Sequence, residues 1–181
     1  MLKATYTGNI DEIKKTVYNM VEESMKLDAH DLFLTRAHTT AFVKNGRKLH
    51  TLSEFDELND FISSNGRQCF ENSKIVMAWA NVYPTGSYIR PHKHITFDNL
   101  ISAVFYLQGN GVLHVGEHTY SLEQGETLFF PSNVEHWSEP NKNEQDRVMI
   151  GYDLYHGDKT DKEIEIIIKG FEEFIKHGVI K

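Results

Sequence analysis

The sequence predicts a mainly β protein with flanking helices, in which short strands close into a sandwich or barrel. Three observations carry this expectation. Between residues 74 and 155 the chain breaks into short runs rich in β-branched and aromatic residues, separated by Gly, Pro and Asn. On both sides of that region, apolar residues recur at helical spacing instead. Within the strand region lie two histidine-bearing segments some forty residues apart, an arrangement that lets a small barrel hold one metal ion in its interior.

The elements follow in order. Residues 9–26 read as an amphipathic helix: Ile10, Ile13, Val17, Met20, Val21 and Met25 share a face, and Asn9 is placed to cap it. Residues 27–52 are irregular, with a turn at Asn45-Gly46. A second helix runs from Ser53 to Asn65, capped by Ser53, striped by Phe55, Leu58, Phe61 and Ile62, and ended by Gly66. Six strands are expected, at 74–83, 89–94, 100–107, 112–115, 127–130 and 147–155. Gly109-Asn110-Gly111 reads as a hairpin turn. A final helix covers 160–177, with a Thr160/Glu163 capping box and a buried side of Ile164, Ile167, Ile168, Phe171, Phe174 and Ile175. With 181 residues, one domain is expected: a helical part at 1–70, a β core at 72–155 and the closing helix.

Composition narrows the function. The chain is 40% hydrophobic and 25% charged, as in an ordinary soluble globular protein. Its net charge of -7 argues against a nucleic-acid partner or a membrane surface, both of which favour cationic faces. No apolar run approaches the roughly 20 residues that span a bilayer, and the N-terminus carries no apolar signal core. The single cysteine, Cys69, excludes an internal disulfide and suits a reducing cytosol, so a cytoplasmic location is expected. It reads as a half-buried small residue, not a reactive thiol.

The chemistry gathers in the two histidine segments. The first is Gly86-Ser-Tyr-Ile-Arg-Pro-His92-Lys-His94; the second is Gly125-Glu-Thr-Leu-Phe-Phe-Pro131-Ser-Asn-Val-Glu-His136. Residues two apart on a strand share a face, so His92 and His94 can both enter a barrel. Imidazole nitrogens suit iron, manganese, zinc, copper or nickel. The competing reading is that some of these histidines satisfy buried hydrogen bonds. Glu135 would face away from His136 and reads as solvated. His114 and His118 flank a turn at Gly116-Glu117 and read as surface residues, and Trp79 reads as core. Asn81, Tyr83 and Tyr106 can hydrogen-bond a small molecule or pack with a polar tip.

The two segments resemble the paired motifs of the cupin superfamily, with Asn133 where the second motif usually has Gly, and Asp98 where many cupins place a Glu ligand. A closer likeness covers residues 77–154. There Trp79-Ala-Asn-Val-Tyr83, His92-Lys-His94, Ser102-Ala-Val-Phe-Tyr106, Phe130-Pro-Ser132, His136, Pro140-Asn141 and Arg147-Val-Met-Ile150 are similar to a family of 2-oxoglutarate- and iron(II)-dependent oxygenases of bacteria and phages. The resemblance implies a double-stranded β-helix, or jelly-roll, with His92 and His136 as iron ligands. It implies that Arg147 holds the distal carboxylate of 2-oxoglutarate, where a surface ion pair with Glu144 or Asp146 is the alternative. Two departures stand out. His94 occupies the place of the usual carboxylate ligand, so the centre is either three-histidine or includes Asp98. Met149 replaces a Ser that often follows the arginine.

The expected function is an Fe(II)- and 2-oxoglutarate-dependent dioxygenase, hydroxylating a small molecule or a protein side chain. Its implied partners are O2 and a small-molecule or peptide substrate, with a homodimer left open. The first rival is a cupin metalloenzyme without 2-oxoglutarate, of thiol dioxygenase or isomerase type. The second is a non-catalytic small-molecule binder or sensor. Whether Arg147 points into the barrel discriminates the first rival; the second would bind ligand without consuming oxygen.

Overall fold

The computed structural model describes residues 1–25, 34–43, 45–94 and 98–177. Its elements in chain order are β1 (Leu2–Thr5), α1 (Asp11–Met25), β2 (Leu34–Thr35), β3 (His38–Thr39), α2 (Asp56–Cys69), β4 (Lys74–Tyr83), β5 (Tyr88–His92), β6 (Leu100–Gln108), β7 (Gly111–Val115), β8 (His118–Leu122), β9 (Glu126–Pro131), β10 (His136–Ser138), β11 (Arg147–Tyr155) and α3 (Asp161–His177). They build two antiparallel sheets: a six-stranded sheet ordered β1-β9-β6-β11-β4-β3 and a five-stranded sheet ordered β2-β5-β10-β7-β8. From β4 onward the chain crosses repeatedly between the sheets, and only β7 and β8 are consecutive strands that pair with each other. That alternation is the jelly-roll double-stranded β-helix.

The six-stranded sheet is buried on both faces. Its inner side chains, among them Tyr83, Val104, Tyr106, Leu128, Phe130 and Met149, meet Leu113, Val115 and Leu122 of the other sheet. Its outer side chains, including Ala80, Ala103, Phe105, Val148, Ile150 and Leu154, meet Ile13, Val17 and Val21 of α1 and Leu58 and Ile62 of α2. Ile164 and Ile168 of α3 cover one further corner with Val76, Leu100 and Tyr155. Two-sided burial explains why β4, β6 and β11 read as near-continuous apolar runs. The helix stripes of Ile13, Val17, Val21, Leu58, Ile62, Ile164 and Ile168 are buried as the periodicity requires. Met25, Phe171, Phe174 and Ile175 lie outside the described side chains.

Two helix ends follow the sequence signals. Asn9 Oδ1 accepts from the Asp11 N–H at 2.9 Å. Thr160 and Glu163 form the reciprocal box, with the Thr160 N–H donating to Glu163 Oε2 at 2.8 Å. The second helix differs. Ser53–Phe55 form a 3-10 turn, and α2 begins after Phe55 without a side-chain cap. Gly66 does not end this helix. It is buried inside α2, where an added Cβ would collide with the Leu154 side chain, so its role is to let the helix approach β11. Of residues 27–52, those described form the two-residue strands β2 and β3 and short 3-10 turns. β1, β8 and β10 were not expected from the sequence.

The Gly109-Asn110-Gly111 hairpin is corrected. β6 and β7 lie in different sheets, so this segment is a corner between them, and the tight hairpin is instead β7–β8 at Gly116-Glu117. The glycine at 111 serves space: a Cβ there would lie 2.5 Å from Arg147 Nη1 and 3.1 Å from its Cδ. The guanidinium is itself buried and held, so it has little room to yield. Gly111→Ala should therefore destabilise the fold by about 1–3 kcal/mol, read as a lower denaturant midpoint with unchanged slope.

Candidate functional site

The site is assembled by strand register. His92 ends β5 and His136 opens β10, and the two are direct cross-strand partners. Their rings lie 4.2 Å apart between centroids, and Phe130 packs 4.8 Å from His136. β5 stops at His92, so the expectation that His94 shares its strand face is corrected. His94 converges by another route. Its N–H donates to the Ser132 carbonyl at 2.9 Å, carrying the chain across to the six-stranded sheet, and its ring turns inward beside Trp79, at 5.4 Å. The result is one group: His92, His94 and His136 offer ligand atoms all within 4.8 Å of one another.

Each ring is held through Nδ1. His92 Nδ1 faces the Arg90 carbonyl at 2.9 Å, and His136 Nδ1 faces the Val134 carbonyl at 3.0 Å. A carbonyl only accepts, so both Nδ1 atoms carry the proton and the lone pair sits on Nε2. His94 Nδ1 lies 2.8 Å from Asp153 Oδ1 and 2.9 Å from Ser102 Oγ. Burial, with His94 adjacent, lowers the His92 pKa to about 4. Burial, with both neighbouring histidines, lowers that of His136 to about 2. Both are therefore neutral imidazoles at pH 7, the form that ligates metal.

Asp98 is exposed and stands outside the group. Asp153 was missed by sequence reasoning, and Ser102 and Ser132 stood in the resembling motifs without a role assigned to them. The available signal was alternation along β11, which puts Asp153 on the same inner face as Arg147 and Met149.

Arg147 is 1% exposed, which rules out the surface ion pair with Glu144 or Asp146. Its Nη2 donates to Ser138 Oγ at 3.0 Å and to the Glu139 carbonyl at 2.9 Å, and its guanidinium carbon lies 4.9 Å from the Tyr83 ring centre. Nε has no hydrogen-bond partner among the described residues, and neither does the buried Tyr106 hydroxyl. Burial raises the Tyr106 pKa to about 12 against the opposing pull of Arg147, so the phenol stays protonated and able to donate. No carboxylate pairs with Arg147 among the described residues. Trp79, Asn81 and Tyr83 alternate along the inner face of β4, from the histidine end to the arginine end. Trp79, expected in the core, is half-buried: it packs against the cluster of Val76, Met77 and Leu100 beside His94, with the Arg47 guanidinium 5.7 Å from its ring.

The remaining candidates lie elsewhere. His114 stacks on Trp137 at 3.6 Å and approaches Glu139 at 3.3 Å, and His118 and Glu135 are exposed. Cys69 is half-buried, and burial pushes its thiol pKa up. No described helix is long and apolar enough to cross a membrane.

Residues 80–151 match the family model of the cupin domain. No curated protein matches the sequence. Among solved structures, a prolyl-4-hydroxylase from Pseudomonas putida aligns at 14% identity over 86% of this chain and 92% of its own, with a TM-score of 0.57. The viral collagen prolyl hydroxylase of Paramecium Bursaria Chlorella virus-1, as its 2OG complex, aligns at 11% identity over 84% and 94%, with a TM-score of 0.55. A cupin-like protein of Thermotoga maritima msb8 aligns at 17% identity over 77% and 90%, with a TM-score of 0.43. The fold is a cupin jelly roll with three helices.

The lowered histidine pKa values have a consequence for stability. As pH falls from 6.5 towards 4, an unfolded chain protonates at His92 and His136 while the native state resists. This contribution is complete above about pH 6.5 and is lost as pH falls. The melting temperature of the metal-free protein should drop across that window. His92→Gln, which removes one titrating ring, should flatten the drop in thermal scans between pH 7.5 and 4.

Proposed function

We propose that the chain is an Fe(II)- and 2-oxoglutarate-dependent oxygenase that hydroxylates a small molecule or a peptide side chain. The observation that carries this reading is Arg147: a guanidinium 1% exposed, without a carboxylate partner among the described residues, facing the barrel interior. A buried charge is unfavourable unless it meets its opposite. The anion has to come from a ligand, and a guanidinium pairs with a carboxylate bidentately.

The spacing supports a dicarboxylate. Arg147 bonds Ser138, which lies two residues along β10 from His136. Two residues of strand span about 6.8 Å, a gap that a five-carbon diacid can bridge from the triad to the guanidinium. His92, His94 and His136 would hold the metal, and Arg147 the distal carboxylate. Tyr106 has a buried hydroxyl to donate, and Asn81 and Tyr83 line the same face. Ser138 supplies the arginine with a hydroxyl contact. The two prolyl hydroxylases that share the fold over most of its length support the same class.

When bound, iron(II) with 2-oxoglutarate and O2 supplies an oxidant able to break a C–H bond. The chain's own contribution is positional. Three imidazole ligands leave part of a metal's coordination sphere open to co-substrate and oxygen. Phe130 and Trp79 wall the triad with apolar surface, which limits water around it.

Three imidazoles without a carboxylate in the group favour a second reading, a cupin metalloenzyme that does not use 2-oxoglutarate. Anaerobic calorimetry separates the two. 2-Oxoglutarate titrated into the Mn(II)-loaded protein should bind, and Arg147→Ala should weaken it by about 2–5 kcal/mol. Metal binding without 2-oxoglutarate binding, or a variant that binds as well as wild type, would overturn the 2-oxoglutarate assignment in favour of the second reading. A co-substrate bound with no oxygen consumption would point to a sensor.

A further inference from the structure

Asp153 lies on the inner face of β11 and is 1% exposed. Its Oδ1 accepts from Ser102 Oγ at 2.9 Å and stands 2.8 Å from His94 Nδ1. Among the described residues no lysine or arginine reaches it; His94 is its one ion-pair partner. This is a buried carboxyl group held by a hydroxyl and an imidazole. A carboxylate so buried is stabilised by a positive charge close by.

The surroundings fix where that charge has to be. Ser102 Oγ also lies 2.9 Å from Ser132 Oγ. A serine hydroxyl has one proton, and the carboxylate is the stronger acceptor, so Ser132 donates to Ser102 and Ser102 to Asp153. The Ser132 carbonyl meanwhile holds the His94 N–H at 2.9 Å. His94 is therefore clamped at backbone and ring, with Nδ1 turned to the anion and Nε2 towards His92 and His136.

We infer that Asp153 is a positioning residue which, through His94, delivers to the metal the negative charge that a directly bound carboxylate brings to a two-histidine, one-carboxylate centre. This rests on reading the triad as a metal site. The carboxylate has moved outward by the depth of one imidazole, and the charge balance of the centre is retained. A histidine whose Nδ1–H is held by a carboxylate is also a more basic ligand and is locked in one tautomer.

Asp153→Asn tests charge apart from shape, because its amide oxygen can still accept from Nδ1–H. Titration with Mn(II) alone should show affinity lowered about 10–100-fold, with the circular dichroism of the metal-free protein unchanged. The Fe(III)/Fe(II) midpoint of the iron-loaded variant should rise, since a negative charge beside the ion is lost. Ser102→Ala, which keeps the carboxylate, should lower affinity less and leave the midpoint near that of wild type. Equal Mn(II) affinity and equal midpoint in wild type and Asp153→Asn would overturn the inference while leaving the metal site standing. A wild type that binds no Mn(II), Fe(II) or Zn(II) would overturn the metal site itself. Should Asp153→Asn fail to fold, proton NMR of the Zn(II)-loaded wild type decides. A strongly downfield, slowly exchanging Nδ1–H that is missing from His94→Gln supports the inference, and its absence from wild type overturns it.

Discussion

A single strand, β11, carries an arginine and an aspartate buried on its inner face, Arg147 at one end and Asp153 at the other, and among the described residues no carboxylate pairs with the first and no lysine or arginine with the second. They are too far apart along the strand to neutralise each other: six residues of strand span about 20 Å. A barrel interior that tolerates both has to be built around something that satisfies them. The remaining architecture serves that arrangement. Gly111 vacates the volume that the guanidinium fills, Ser138 and the Glu139 carbonyl hold its Nη2, and Tyr83 covers its face. At the other end Ser102 and Ser132 steady the carboxylate, and His94 leaves its strand to reach it. The helices α1 and α2 contribute by sealing the outer face of the same sheet, where Val148, Ile150 and Leu154 of β11 are buried.

Much of this was legible in the sequence, for identifiable reasons. The long strands β4, β6 and β11 announce themselves by unbroken apolar runs, because both faces are covered. His92, His94 and His136 stand out by residue type and spacing; alternation puts Arg147 and Met149 on one face of their strand, but only the packed barrel shows that this face is the inner one. What escaped depends on contacts distant in the chain. β1 is a strand because Leu2–Thr5 pairs with Glu126–Phe129, and nothing in four residues states that partner. β10 is three residues long, shorter than any periodicity can register. The Gly-Asn-Gly corner carries the local chemistry of a hairpin, and only sheet membership separates a corner from a hairpin. Gly66 resembles a helix stop because local propensity cannot see Leu154 pressing against the helix flank. Asp153 was overlooked because a lone acid inside an apolar strand has no neighbouring motif to name its role; the histidine it holds is 59 residues away.

The departure at position 94 then looks less like an anomaly. An imidazole reaches further than an aspartate side chain, and the added length is taken up by a carboxylate placed one strand deeper. On that proposal the metal-facing group and the charge-bearing group are two residues, one on the segment after β5 and one on β11, each held by its own neighbours.

The short strand β10 has a consequence of another kind. It lies inside the five-stranded sheet, paired to β5 on one side and β7 on the other. His136 therefore joins His92 and His94 only after segments from both sides of the β6 crossover have docked. A chain still folding presents two histidines and a loose third, a weak competitor for scarce cations. In the closed barrel the three imidazoles lie near enough to share an ion. A cation bound at the triad would prefer the native state and draw the equilibrium towards it, coupling occupancy to the completion of folding, and an apo chain would then be the first to open along β10 and the first exposed to proteolysis.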